Sequence, residues 1–150
     1  MFRAVLAICA ARKIAVTRTS ELYFSEPWGG AEGGVFTNAV LEVAATSTPR
    51  ELHAHLQRIE AESGRNRRCG NEARVCDLDL LLWNGETIDK PELVVPHPRI
   101  ADRRFVLVPL CDLIPDAHHP TLGRSYRELL NHCPDPLKVW PRETHLPPPA

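Results

Sequence analysis

Residues 74–84, RVCDLDLLLWN, constrain the chain more than any other stretch. Asp77 and Asp79 stand at the head of an otherwise apolar run. In an extended strand, positions i and i+2 point to one face, so the two carboxylates project side by side while Leu78 and Leu80 point the other way. Like charges at that spacing repel, and burying them is costly. The segment must therefore be a half-buried strand with its acidic face toward solvent or a cation. Asn84-Gly85 directly after it signals a hairpin, with ETIDKPELVVP as the returning partner or an extended edge.

The rest of the chain sorts around this strand. MFRAVLAICAARK reads as an amphipathic helix over residues 2–12 rather than a secretory leader, because Arg12-Lys13 closes the apolar run early. Alternation over 13–25 and β-branched residues over 35–45 predict two antiparallel strands, joined by the glycine-rich EPWGGAEGG. Thr48, Pro49 and Glu51 form a helix start, and Leu52, Leu56 and Ile59 supply that helix's apolar stripe up to about Gly64. A basic loop follows over 65–73, expected to be mobile. Helices are expected over 99–113, limited or kinked by Pro109, and over 123–132. This order predicts an α+β fold with a mainly antiparallel sheet and helices packed on it. One domain is expected over residues 1–132. The tail over 133–150 is proline-rich and expected to be extended and poorly ordered.

Composition excludes some functions. A net charge of -1 gives no global basic field for nucleic acid. No apolar run reaches the roughly 20 residues of a membrane span. Five cysteines without regular spacing argue against a disulfide framework, so reduced thiols in a cytoplasmic protein are expected.

Three constellations carry chemistry. Asp77 and Asp79 suit Mg²⁺, which takes one or two carboxylates and leaves positions for phosphate oxygens. An Asp-x-Asp also describes a solvated strand end. The arginines at 65, 67, 68 and 74 favour the first reading, since guanidinium forks match phosphate oxygens. His97, held between prolines, stands close to Arg99, Arg103 and Arg104 in a second cluster fit for an anion. Phe36, Asn38 and Phe105 offer two rings and an amide for a flat heterocycle, or ordinary core. His53-x-His55 on a helix is a poor metal pair, because positions i and i+2 diverge there.

ARVCDLDLLLWNG and VVPHPRIADRRFVLVPLCDLIPD, supported by SELYFSEPWG, FTNAVLEV and LQRIEAESGR, resemble the 6-hydroxymethyl-7,8-dihydropterin pyrophosphokinases of folate biosynthesis over roughly residues 3–132. The resemblance implies a ferredoxin-like α+β sandwich. It implies transfer of diphosphate from ATP to the hydroxymethyl group of 6-hydroxymethyl-7,8-dihydropterin, with two Mg²⁺ and AMP as product. Asp77 and Asp79 would hold the metals. Gln57, Glu60, Arg67, Arg74, His97 and Arg103 would contact ATP, with Arg65 in a loop that closes over the site. Phe36 and Phe105 would sandwich the pterin. Asn38 would bond its edge, and Ser25 and Trp28 would line its pocket. Association with another folate-pathway enzyme is a further expectation.

The chain departs from the family pattern in three places. The family's first strand and Gly-Ser-Asn loop precede its first helix, and Met1 falls at or inside that helix, so a start further upstream is expected. The basic loop reads GNEA where an aromatic residue and Gly-Pro are usual, and Glu26 replaces the first proline of the pterin loop. The alternatives are a truncated, non-catalytic relative that binds nucleotide or pterin, and an unrelated Mg²⁺ phosphohydrolase.

Overall fold

The computed structural model describes Cys9 and residues 14–27, 34–65 and 76–143. Its elements are β1 (Ala15–Thr19), β2 (Tyr23–Ser25), β3 (Phe36–Asn38), β4 (Leu41–Ala44), α1 (Pro49–Arg65), β5 (Ile88–Lys90), β6 (Leu93–Val95), a 3₁₀ turn (Ile100–Asp102), α2 (Arg104–Leu113), α3 (Tyr126–Asn131) and β7 (Val139–Pro141). The strands form three sheets, β1-β4, β3-β2-β7 and β5-β6. The fold is α+β, as the order of sequence patterns predicts. Of the first predicted helix only Cys9 is described, and it is helical.

The described residues divide into two compact units, one drawn from Met1–Thr17 and Val43–His97, the other from Arg18–Glu42 and Pro98–Ala150. The expected strands over 13–25 and 35–45 are each two short strands. The break falls at Ser20 and Val40. There the Ser20 N–H donates to the Val40 carbonyl at 2.9 Å, and the Val40 N–H donates to the Ser20 hydroxyl at 2.9 Å. A buried hydroxyl satisfies the backbone where the strands turn from one sheet to the next.

In the first unit, α1 opens with the expected capping box. The Thr48 N–H donates to the Glu51 carboxylate at 2.8 Å, and the Glu51 N–H donates to the Thr48 hydroxyl at 3.3 Å. Leu52 and Ile59 are buried with Cys9 and Ile14, and Leu56, Leu78, Leu80 and Trp83 pack against them. Each such aliphatic residue contributes about 1.5–3 kcal/mol when fully buried.

Residues 76–82 correct one expectation, because they belong to no strand. The turn after them does form. Asn84 and Gly85 both have positive φ, 48° and 70°, and the Glu86 N–H donates to the Trp83 carbonyl at 2.8 Å. The returning segment does not pair with 76–82 as a ladder. It folds back on itself, Ile88 opposite Val95 and Lys90 opposite Leu93. Leu93 and Val95 are buried while Val94 is exposed, so β6 already has an apolar face, and Pro91-Glu92 supplies the turn that closes its own hairpin.

In the second unit, β2 pairs antiparallel with β3 and with β7, and α2 packs across all three strands. Pro109 neither ends α2 nor limits it. The helix runs through it to Leu113, with Pro109 buried. α3 opens on a second capping box, Ser125 with Glu128. Of the tail over 133–150, residues 144–150 lie outside the described residues. Within 133–143, β7 is paired with β2, with Phe24 opposite Trp140 and their ring centroids 6.2 Å apart. Val139 and Trp140 give this proline-rich stretch enough apolar surface to close on β2.

Candidate active site

The first unit presents the carboxylates. From Cys76 to Leu80 the side chains alternate half-buried and exposed, with Asp77 and Asp79 on the exposed positions. The alternation read from sequence therefore holds without a ladder. Three contacts keep the segment in place. Leu78 and Leu80 pack against the core. The Leu78 N–H donates to the Glu60 carboxylate in a short hydrogen bond. The His97 N–H donates to the Leu81 carbonyl at 2.9 Å. This last bond fixes His97 close to Asp79, with its Nε2 4.0 Å from Asp79 Oδ2.

Glu60 reaches Leu78 from α1, where Gln57 lies one turn earlier on the same face. Among the described residues no group of three or more His, Cys, Asp or Glu side chains forms a metal cage. Two exposed carboxylates at alternate positions still fit Mg²⁺, because this ion keeps waters and phosphate oxygens in most of its coordination sphere. Cys76 beside them is a half-buried free thiol. Burial pushes its pKa up, and the Glu60 and Asp77 charges add to that.

The second unit presents the rings and the amide. Ser25 on β2 lies directly opposite Phe36 on β3. Ser25 is buried and accepts a hydrogen bond from Asn38 Nδ2 at 2.8 Å. A longer contact of 3.5 Å runs from the same nitrogen to the Phe36 carbonyl. Phe36 itself is 49% exposed, which separates it from the core. Phe105 on α2 is half-buried, and the Arg103 guanidinium lies over its ring, 5.7 Å from the centroid.

The remaining sequence candidates are Arg65, Arg67, Arg74 and Trp28. Arg65 closes α1. Arg67, Arg74 and Trp28 lie outside the described residues.

Glu26, one of the departures from the family pattern, has a use that proline would lack. Its N–H donates to the Lys138 carbonyl at 3.2 Å, and its carboxylate accepts from the Lys138 N–H at 2.8 Å. These bonds extend the β2-β7 pairing by one residue.

Two further residues near the rings escaped the sequence reading. The Tyr23 hydroxyl donates to Asp112 at 2.9 Å, and its pKa is pushed up to about 12 by burial first and by that carboxylate second. Asp135 is 4% exposed and accepts from the N–H groups of Arg104 and Leu137, both at 2.9 Å. The second of these bonds is an Asx turn, and the sequence signal for it was an aspartate between two prolines.

A model of the 7,8-dihydro-6-hydroxymethylpterin-pyrophosphokinase (HPPK) family matches residues 1–115. The chain belongs to this family. A 2-amino-4-hydroxy-6-hydroxymethyldihydropteridine pyrophosphokinase of Pseudomonas aeruginosa is 44% identical over 115 residues, covering 77% of this chain and 70% of the relative. One of Bacillus subtilis is 40% identical over 100 residues, covering 67% of this chain and 60% of the relative. The folic acid synthesis protein fol1 of Pneumocystis carinii is 36% identical over 128 residues, covering 83% of this chain but only 17% of the relative. The HPPK match takes in both the carboxylate segment and the arginine–phenylalanine segment. No helix among the described residues is long and apolar enough to cross a membrane.

Proposed function

We propose that this chain transfers diphosphate from ATP to the hydroxymethyl oxygen of 6-hydroxymethyl-7,8-dihydropterin, releasing AMP. The observation that carries the reading is the exposed pair Asp77 and Asp79 on a segment whose alternate residues are locked into the core. Membership of the HPPK family supplies the reaction class.

Asp77 and Asp79 are the residues that would hold two Mg²⁺. Bound there, the metal supplies charge neutralisation on the phosphates and alignment of the reacting groups. The side chains do the rest by positioning. Gln57, Glu60, His97 and Arg103 are assigned to ATP, with Arg65, Arg67 and Arg74. The guanidinium groups stabilise charge on the departing AMP. Phe36 and Phe105 take the two faces of the pterin. Asn38 spends its N–H groups on the protein, which leaves its carbonyl oxygen to accept from the pterin edge. Ser25 and Trp28 complete that pocket. The hydroxymethyl proton would go to a carboxylate oxygen of Asp77 or Asp79, an acceptor that this residue set provides. A cytoplasmic location and association with another folate enzyme belong to the same proposal, and the partial match to a much longer folic acid synthesis protein supports the second.

A coupled AMP-release assay, run beside titration calorimetry with a non-hydrolysable ATP analogue, tests the reading. AMP formation that depends on both substrates and Mg²⁺ is expected. Binding without turnover would identify a non-catalytic relative, and release of inorganic phosphate without AMP would identify a phosphohydrolase.

A further inference from the structure

Helix α2 begins with a problem of backbone chemistry. The N–H of its first residue, Arg104, has no acceptor within the helix. Its N-cap residue is Arg103, whose side chain is a donor only and makes no capping hydrogen bond. The acceptor comes instead from 31 residues further along the chain. Asp135 Oδ2 accepts the Arg104 N–H at 2.9 Å, while Oδ1 accepts the Leu137 N–H at 2.9 Å. Arg104 returns the contact, its Nε donating to the Asp135 carbonyl at 3.3 Å. The carboxylate is 4% exposed, and its negative charge faces the positive end of the helix.

The peptide held this way joins Arg103 to Arg104, and Phe105 follows at once. Arg103 is extended, at φ −125° and ψ 106°, so the chain turns into the helix at this peptide. The turn sets the direction of both side chains, and their stacking at 5.7 Å is the visible result. We infer that Asp135 is a positioning residue for pterin binding, acting through the peptide that aims Arg103 and Phe105. The inference rests on the assignment of Phe105 to the pterin pocket.

A double-mutant cycle between Asp135 and Phe105 tests it. Pterin binding is measured by calorimetry on the full chain, with Mg²⁺ and a non-hydrolysable ATP analogue present. Asp135→Asn keeps an oxygen for one N–H and loses the other acceptor. It is expected to weaken pterin binding roughly tenfold. In a Phe105→Ala background the same change should add less than about twofold, because the residue through which it acts is gone. Asp135→Ala should follow the same pattern with a larger first effect. Asp116→Ala, which removes a solvent-exposed carboxylate paired with Arg127 in the same unit, should leave pterin binding unchanged.

Wild-type binding by Asp135→Asn, with Phe105→Ala impaired, overturns the inference and spares the pocket. Equal losses in both backgrounds would make Asp135 merely structural, as would failure of both Asp135 variants to fold. Normal pterin binding by Phe105→Ala removes the pocket assignment itself, and the inference with it.

Discussion

The two units hold their candidate site residues by different means. In the first, Asp77 and Asp79 sit on a segment that belongs to no strand among the described residues, fixed by two half-buried leucines, one glutamate and one backbone bond. In the second, Phe36, Asn38 and Ser25 sit in a regular antiparallel ladder with a helix packed across it. The carboxylates project from their support into solvent, while the rings and the amide are built into theirs. Substitutions in the first unit should therefore separate chemistry from stability, and those in the second should mix them.

The largest effect expected is at the carboxylates. Asp77→Ala or Asp79→Ala should lower AMP release roughly a thousandfold or more, since on the proposed reading several kcal/mol of charge stabilisation would depend on the metal they would hold. Both side chains are exposed, so the melting temperature should stay near that of the unmodified protein. A large fall in melting temperature would erase the contrast between the units.

Phe105→Ala comes next. Loss of one face of the sandwich should weaken pterin binding by roughly 1–3 kcal/mol, with a smaller change for the ATP analogue. Here thermal stability should fall as well, because Phe105 is half-buried on α2. A change in ATP affinity alone would return Phe105 to the core.

Glu60→Ala probes the support under the carboxylates. Its removal leaves the part-buried Leu78 N–H without that acceptor, at a cost of about 1–3 kcal/mol in chemical denaturation. Glu60→Gln keeps an acceptor oxygen and should lose less. Equal losses would mean that the charge of Glu60, not its hydrogen bond, is what the segment needs.

The smallest effects concern the two capping boxes. Glu51 and Glu128 are held below the ordinary value of 4.5, each chiefly by a backbone N–H and then by a hydroxyl, from Thr48 and Ser125 respectively. A carboxyl whose pKa is lowered on folding stabilises the protein above its unfolded value, and that stability drains away as pH falls through the lower folded value. Thr48→Ala and Ser125→Ala should each flatten stability against pH below about 4.5. At neutral pH Ser125→Ala should cost more stability than Thr48→Ala, because α3 has six residues to absorb the loss and α1 has seventeen.

The first unit was the more legible in sequence. Its signals are local, namely a capping box, a helical stripe and an alternation, and all three are present in the structure. The hairpin partner was misread because periodicity gives a strand its face but not its neighbour. Asn84-Gly85 does make its turn, yet the ladder forms one turn later, around Pro91-Glu92. In the second unit Phe36 could be read as core or site, and only its exposure separates it from the core. The capping contact of Asp135 was illegible because its partner lies 31 residues away. A proline-rich composition describes the average behaviour of a tail, and two apolar residues within it were enough to add a strand.

Among the described elements, strand β7 is also the last to be made. Residues 18–42 leave the ribosome early, but their unit closes only when Val139–Pro141 has followed. At translation rates of about 5–20 residues per second, the β2–β3 pair waits roughly 5–20 s for its third strand. The first unit is drawn from residues up to His97, all of which are made while the second is still being synthesised. During that interval one edge of β2 stands open to whatever backbone passes by, so the nascent chain, rather than the finished protein, is where this fold is most exposed to mispairing.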